Sequence, residues 1–549
     1  MMIYLRKFLL IIFCFSFSCC GAVNPNKFYI RLNQVGFLPN DIKTAVIIAE
    51  KPLFEKFFTV RKVSNNDKVF EKVISDSLMN YDRFKHCYSI DFSELKEEGD
   101  YYLEINKKKS YNFSVGNKVY NAVVDSLMLF FKVQRCGPTN PMLHKVCHLW
   151  DVKYIKGMEN LGQVDLTGGW HDAGDYIKFL STTAYTTYML MFAYEFDPVK
   201  FSFDNNKNNE PDVLEEARVG LDWMLRSYFT VDNIVNQVQD NRDHNVGWRL
   251  PENDSLRYDR IAYLGMSKNQ IGMFSAAMSL AARIWKIKFY DDEFSGKCIL
   301  AAEKIYKLKD SAPDVDKNVS GVYQDKSFAG KLALGAVELY ISTSNENYLK
   351  DAFTFANTAG SDYWWSWGDI NSLAHYKLAK IDNKYKDYIL NNIKAFNVKK
   401  DSSLFKESMG FSWGTTNSFL GAALQVILYK DLSQDDLFDS LATYQRDYVL
   451  GRNPWGISFI YNIGDKYVSS LHSQVGYIRN GYLPGGLSAG PAPLELLKNY
   501  KIERKNTEYD YFNTDRIKYF DDFNDYITNE PTIVGNATAV FVFGYYSKR

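Results

Sequence analysis

From Asn117 onward the chain consists of long apolar segments whose hydrophobic residues recur at helical spacing, and this limits the folds open to it. YNAVVDSLMLFFKVQ, DVLEEARVGLDWMLRSYF, KNQIGMFSAAMSLAARIWKIKF, KSFAGKLALGAVELYIST and NSFLGAALQVILYKDL all carry the pattern. Many are rich in Ala, Gly and Ser, which let helices approach closely. Loops with Trp, Gly, Asp and Pro separate them. The pattern predicts one large all-helical domain of repeated helical hairpins, with function placed on the loops. The stretch before it, from Lys27 to about Val115, reads differently. FYIRLNQVGFL, TAVIIAE, FFTVRKV and DYYLEIN are short, rich in β-branched and aromatic residues, and bounded by turn formers. They predict a small β-sandwich.

The N-terminus opens with Arg6 and Lys7, then an apolar run from Phe8 to Phe17, then Cys19, Cys20 and Gly21. That run is too short to span a bilayer and has the layout of a secretory signal. Its Ser-Cys-Cys-Gly ending resembles a bacterial lipobox. Residues 1–20 are therefore expected to be a lipoprotein-type signal peptide, lipidated at Cys19 or Cys20; an ordinary cleaved signal peptide is the alternative. The protein is expected to be exported and lipid-anchored to the bacterial outer membrane or cell surface, or otherwise secreted or periplasmic. The sandwich is assigned to residues 24–116 and the helical domain to 117–549. Lys plus Arg balance Asp plus Glu, 65 against 65, so nothing points to nucleic acid as a partner. After the leader only Cys87, Cys136, Cys147 and Cys298 remain, which is no disulfide framework.

Two acidic loops stand far apart in the chain. GGWHDAGDYIKF, Gly168 to Phe179, holds Asp172 and Asp175. By itself this is also what a polar turn looks like, because Asp and Gly both favour turns. DDFNDYITNEPTIVGNATAV, Asp521 to Val540, places Glu530 just before a predicted helix. Such a pair suits inverting glycoside hydrolysis. That reaction needs a base carboxylate on one face of a sugar and a carboxylic acid on the other, ~6.5–9.5 Å apart so that a water fits between. Burial or nearby negative charge keeps the acid protonated.

With these motifs in order, the chain resembles glycoside hydrolase family 9, the cellulase family with an (α/α)6 barrel, over nearly all of its length after the leader. RLNQVGFLPNDIKTAVII resembles the immunoglobulin-like domain that precedes many of these barrels. GGWHDAGDYIKF, YVLGRNPWGISFIYNIG and NDYITNE resemble the family's three active-site signatures. The resemblance implies that Asp175 is the general base, Asp172 the helper that holds the same water, and Glu530 the general acid. It implies a structural zinc on Cys136, Cys147, His148 and His171, a closed tetrahedral donor set; a Cys136–Cys147 disulfide is the alternative. Some members hold calcium, and NNKNNEPDVLEEA, Asn205 to Ala217, is compatible with that or with a helix N-cap at Asp212. His472, Trp413, Trp455 and Tyr526 are the implied substrate-binding residues. At least one of Trp364, Trp365 and Trp367 is expected to reach the surface or the cleft.

Two positions depart from the family pattern: Gln474 stands where an arginine is common, and Gly535 where a tyrosine is. Both changes remove a grip on the sugar at the cleavage point. They point to a decorated or mixed-linkage β-glucan, or a short oligosaccharide, rather than plain cellulose. The expected activity is an inverting endo-β-1,4-glucanase acting as a monomer on β-glucan. An exo-acting glucosidase or glucosaminidase of the same family and a non-catalytic glycan-binding surface protein are the alternatives.

Overall fold

The computed structural model describes residues 27–549 apart from residues 78, 231, 232, 316–322 and 324, so the leader assignment lies outside the described residues. The N-terminal strands are β1 Phe28–Arg31, β2 Gly36–Phe37, β3 Thr44–Ala49, β4 Phe57–Lys62, β5 Lys68–Val73, β6 Met79–Tyr81, β7 Phe84–Asp91, β8 Gly99–Ile105, β9 Lys108–Lys109 and β10 Phe113–Val115. They form two facing sheets, ordered β1-β3-β7-β6 and β2-β10-β8-β4-β5, with β9 added to β8. All pairs are antiparallel except β2 with β10. Inward residues such as Ile47, Val60, Tyr101 and Leu103 close a core of their own. This is the sandwich the alternating segments predict. Strands β5, KVFEKV, and β6, MNY, carried no such signal.

The helices follow as α1 Asn121–Gln134, α2 Leu180–Phe196, α3 Asp212–Ser227, α4 Lys268–Ile284, α5 Asp292–Tyr306, α6 Ala329–Thr343 and α7 Glu346–Ala359. After them come α8 Asn371–Ala379, α9 Lys386–Asp401, α10 Thr415–Ser433, α11 Asp439–Val449, α12 Gln474–Ile478, α13 Leu494–Lys498 and α14 Ile533–Tyr546. Six of them, α2, α4, α6, α8, α10 and α14, touch in a closed ring. Each packs an outer partner against itself: α3, α5, α7, α9, α11 and, for α14, α1. This is a two-layered (α/α)6 barrel. The inner helices are buried on nearly every side. Outer ones such as α3 and α7 keep a polar face, as their position demands.

The signature RLNQVGF does not face a ligand; it fastens the sandwich to the barrel. Asn33 donates to Asp447 Oδ1 at 2.8 Å, the Gln34 amide to the Leu450 carbonyl at 3.0 Å, and Arg446 to Asp41 at 2.8 Å. The segment YVLGRNPWG is thus largely the barrel's side of the interdomain contact. Among the described residues, no helix is long and apolar enough to cross a membrane.

Candidate active site

A small antiparallel sheet at one end of the barrel brings distant loops together. Its strands are β11 Lys178–Phe179, β12 Tyr228–Thr230, β13 Asn233–Val238 and β14 Ala262–Leu264, with β13 at the centre. β11 closes the Asp172–Asp175 loop, and β13 runs straight into residues 241–245. Their pairing, Lys178 opposite Val238, sets the two loops side by side.

The loop itself is held from several sides. Its backbone closes through the Asp172 N–H to the Ile177 carbonyl at 3.0 Å. Gln134 at the end of α1 donates to the His171 and Ala173 carbonyls at 3.0 and 2.6 Å. The Gln474 amide donates to the Gly174 carbonyl and the Ile533 amide to that of Asp172, each at 3.0 Å. Gly174 is required by crowding: a Cβ there would lie 2.3 Å from the His472 carbonyl and 3.0 Å from Glu530 Oε1.

That crowding delivers Glu530 to the loop. Its Oε1 accepts the Gly174 N–H at 3.0 Å. Burial, reinforced by the Asp175 charge, holds its carboxyl well above the usual glutamate range. Asp175, one residue from that contact, has a different environment. Its Oδ1 accepts the Ile177 N–H at 3.1 Å and its Oδ2 lies 2.7 Å from His244 Nε2. The bond to Asp175 in turn pushes His244 up to about 9. Asp172 is fully buried. Its Oδ2 accepts the Tyr323 hydroxyl, its Oδ1 has no hydrogen-bond partner, and burial pushes it up to about 7.

These groups line a cleft of about 610 Å³ together with Asp243, Trp248, Trp413, His472, Tyr500 and Tyr526. His472 Nδ1 sits 2.6 Å from the Phe523 carbonyl, which places the proton there and leaves Nε2 as an acceptor; burial lowers its proton affinity, so the ring is neutral. Trp413, Tyr500 and Tyr526 form one aromatic wall, with ring centroids 5.5–5.9 Å apart. The predicted Asp172, Asp175, Glu530, His472, Trp413 and Tyr526 therefore meet in one place. Trp455 does not. It is 2% exposed, its Nε1 donates to Asn513 Oδ1 at 2.9 Å, and its ring packs on Phe459 and Tyr519. With the indole N–H satisfied, nothing opposes full burial of so large a ring. Of the three neighbouring tryptophans, Trp365 is core while Trp367 lines a side pocket.

Sequence reasoning missed Asp243, His244 and Trp248. The available signal was DHNVGW, which sets a charged pair and a tryptophan on an Asn- and Gly-rich turn. Gln474 lines the cleft and is held from the same segment. The Arg249 guanidinium bonds Asp243 and Asp254 at 2.6 and 2.7 Å, and its backbone amide meets Gln474 Oε1 at 3.2 Å.

The four metal-ligand candidates also converge. One ligand atom each from Cys136, Cys147, His148 and His171 lies within 4.8 Å of the others, all buried, and this is the one such cluster among the described residues. Both thiols are unbridged, so the disulfide alternative is not adopted. His148 Nε2 bonds Asp254 Oδ2 at 3.1 Å, the carboxylate support that metal-binding imidazoles commonly have. The Asn205–Ala217 carboxylates have taken local partners instead: Asp212 accepts the Asn205 N–H and Glu215 the Asn206 side-chain amide. Asp212 is the first residue of α3, and Pro211 holds the cap position.

A family model described as glycosyl hydrolase family 9 matches residues 120–543, and one described as the cellulase N-terminal ig-like domain matches residues 26–110. Endoglucanase D of Acetivibrio thermocellus is 27% identical, over 84% of this chain and 78% of its own. A xyloglucan-specific endo-β-1,4-glucanase of Bacteroides ovatus is 23% identical over 94% and 93%. The crystal structure of a metagenome-derived family 9 endoglucanase superimposes with a TM-score of 0.82 at 25% identity, covering 95% of this chain and 99% of that one.

Proposed function

The chain belongs to glycosyl hydrolase family 9 and is a glycosidase, and we propose that it hydrolyses β-1,4-linked glucans with inversion at the anomeric carbon. One observation carries the reading. Two carboxyls of a single cleft have opposite surroundings: Glu530 is buried and held well above the usual glutamate range, while Asp175 Oδ2 bonds the His244 imidazole at 2.7 Å. A carboxyl kept protonated across from one held by a histidine suits acid and base in turn.

Water between the loop and the sugar gives its proton to Asp175 as its oxygen bonds to the anomeric carbon. The bond to the departing glycosidic oxygen breaks, and that oxygen takes the Glu530 proton. Glu530 Oε1 already accepts from Gly174, which leaves Oε2 to carry the proton. Asp172, whose carboxyl lies beside Asp175 on the same loop and lines the cleft, is the second group that orients the water. Neutral His472 and the Trp413–Tyr526 wall hold the sugar at the cleavage point.

Cys136, Cys147, His148 and His171 would hold a structural zinc. Two thiolates and two imidazoles would leave no ligand position for substrate, so the ion would supply a cross-link next to Asp172 and no chemistry. The substrate is a decorated or mixed-linkage β-glucan, in keeping with the xyloglucan-specific relative and the glycine at position 535. The protein acts as a monomer, exported and lipid-anchored through Cys19 or Cys20. Anchoring is tested by partition into detergent, which the double alanine variant at both cysteines should abolish.

Proton NMR during hydrolysis of a β-1,4-glucan tests the mechanism. The first product should be the α-anomer, and first release of the β-anomer defeats inversion. Glu530→Gln should lose ~10²–10⁴-fold in kcat/KM. Full activity in that variant would remove Glu530 from the chemistry.

A further inference from the structure

A second cavity of about 230 Å³ adjoins the main cleft and shares Tyr323, Trp413 and Glu530 with it. Its remaining walls include Trp367, Asn417, Leu487, Val534 and Gly535. Two features mark it as built to receive something.

The first is Gly535. It lies in the first turn of α14, where a glycine weakens a helix relative to alanine. Its backbone does not need glycine, for its φ lies outside the left-handed region. Packing does not need it either. A Cβ would meet only Thr532 Oγ1 at 3.5 Å and Leu487 Cδ2 at 3.6 Å, both ordinary contacts. The one thing the missing side chain provides is the open space. The second is Asn417, a residue 9% exposed in the first turn of α10, whose Oδ1 has no hydrogen-bond partner. Its amide lines the pocket, where a sugar hydroxyl can meet it.

We propose that this side pocket is a subsite for a single-sugar branch carried by the glucan at the cleavage point. The inference rests on the glucanase reading and names its substrate class as a β-1,4-glucan with glycosyl side groups. Placement follows from Glu530: a cavity that shares the proton donor can be reached only from a ring adjoining the scissile bond. Chemistry follows from the walls. Flat tryptophan rings suit the C–H faces of a pyranose, and the Asn417, Ser366 and Thr532 side chains among the walls suit its hydroxyls. Size follows from the volume, little more than a third of the main cleft, which admits one ring and excludes a second backbone chain.

The experiment compares kcat/KM for unbranched β-1,4-gluco-oligosaccharides, the same backbone with single-glycosyl branches, and chito-oligosaccharides. The wild type should favour the branched series at least tenfold. Gly535→Phe, which fills the pocket, should lower the branched-to-unbranched ratio at least tenfold. Asn417→Ala should raise KM on the branched series severalfold with a smaller change in kcat, and it reports on the pocket even if Gly535→Phe fails to fold. A wild type indifferent to branching, a folded Gly535→Phe with an unchanged ratio, or a preference for the 2-acetamido series each overturns the subsite and leaves the glycosidase standing. No hydrolysis of either glucan series overturns the glucanase reading and the subsite with it.

Discussion

Within the cleft, the difference between two carboxyls comes from what stands beside each. Glu530 is desolvated and faces another carboxylate, while Asp175 faces His244 at 2.7 Å. The His244 ring bonds Asp175 Oδ2 and fixes the direction of that carboxylate. Removing the ring in His244→Ala should lower kcat/KM, because the proposed base loses the partner that orients it. An unchanged kcat/KM in this variant removes His244 from the positioning of the base. The same pair also affects folding. His244 is raised from 6.5 to about 9, so its contribution to stability is complete below 6.5 and is lost as pH rises through about 9. Melting temperatures at pH 6 and pH 10 should therefore differ more in the wild type than in His244→Ala. Asp172, Asp175 and Glu530 were legible from their motifs because such chemistry needs particular residue types in glycine-rich or helix-preceding loops. His244 was not, since a histidine's partner is fixed by the fold and not by its neighbours in sequence.

The barrel's helices divide into those with a readable period and those without. Segments such as α3 show one apolar and one polar face, and the sequence displays it. α2, LSTTAYTTYMLMFAYEF, has no polar stripe because it is enclosed on nearly all sides, and its β-branched and aromatic residues read as readily as strand. Close packing of the inner ring depends on small residues. A Cβ on Gly272 would lie 2.3 Å from the Lys331 carbonyl carbon, and one on Gly335 would lie 2.7 Å from the Gly272 carbonyl oxygen. Gly272→Ala should thus destabilise, because about 1–3 kcal/mol of overpacking outweighs the gain of up to about 1 kcal/mol in helix propensity. A lower urea midpoint is the expected result, and a raised midpoint would mean that α4 and α6 separate freely. The cluster of Cys136, Cys147, His148 and His171 sets the end of α1 beside the Asp172–Asp175 loop. Elemental analysis should find one zinc per chain in the wild type and none in the Cys136→Ala, Cys147→Ala double variant. Chelation should lower the unfolding midpoint, and a metal-free wild type with an unchanged midpoint would argue against the centre.

Across the molecule, the two domains meet through apolar packing, with Val46, Ile48 and Phe84 of the sandwich joined to the barrel's core, and through buried polar contacts. Arg446 and Asp447 are both enclosed, and Asn33 reaches across from the sandwich to Asp447 Oδ1. Burial pushes Asp447 up to about 6. Removing it leaves Arg446 short of a partner in a dry interface. Asp447→Ala should cost about 3–5 kcal/mol, read as an earlier urea transition in which the domains no longer unfold together. A coincident, unshifted transition would mean the interface contributes little. The local patterns of this chain established that a sandwich precedes a helical domain, and the signature segments named the carboxylates that meet in the cleft and the thiols and imidazoles that cluster beside it, because periodicity and loop chemistry are written within a few residues of each other. Which loop faces which came from the closed ring and the small sheet around β13. Those contacts join positions tens to hundreds of residues apart, and they decided that Trp455 packs inward, that Arg249 lies beside Gln474, that His244 meets Asp175, and that Gly535 opens a pocket.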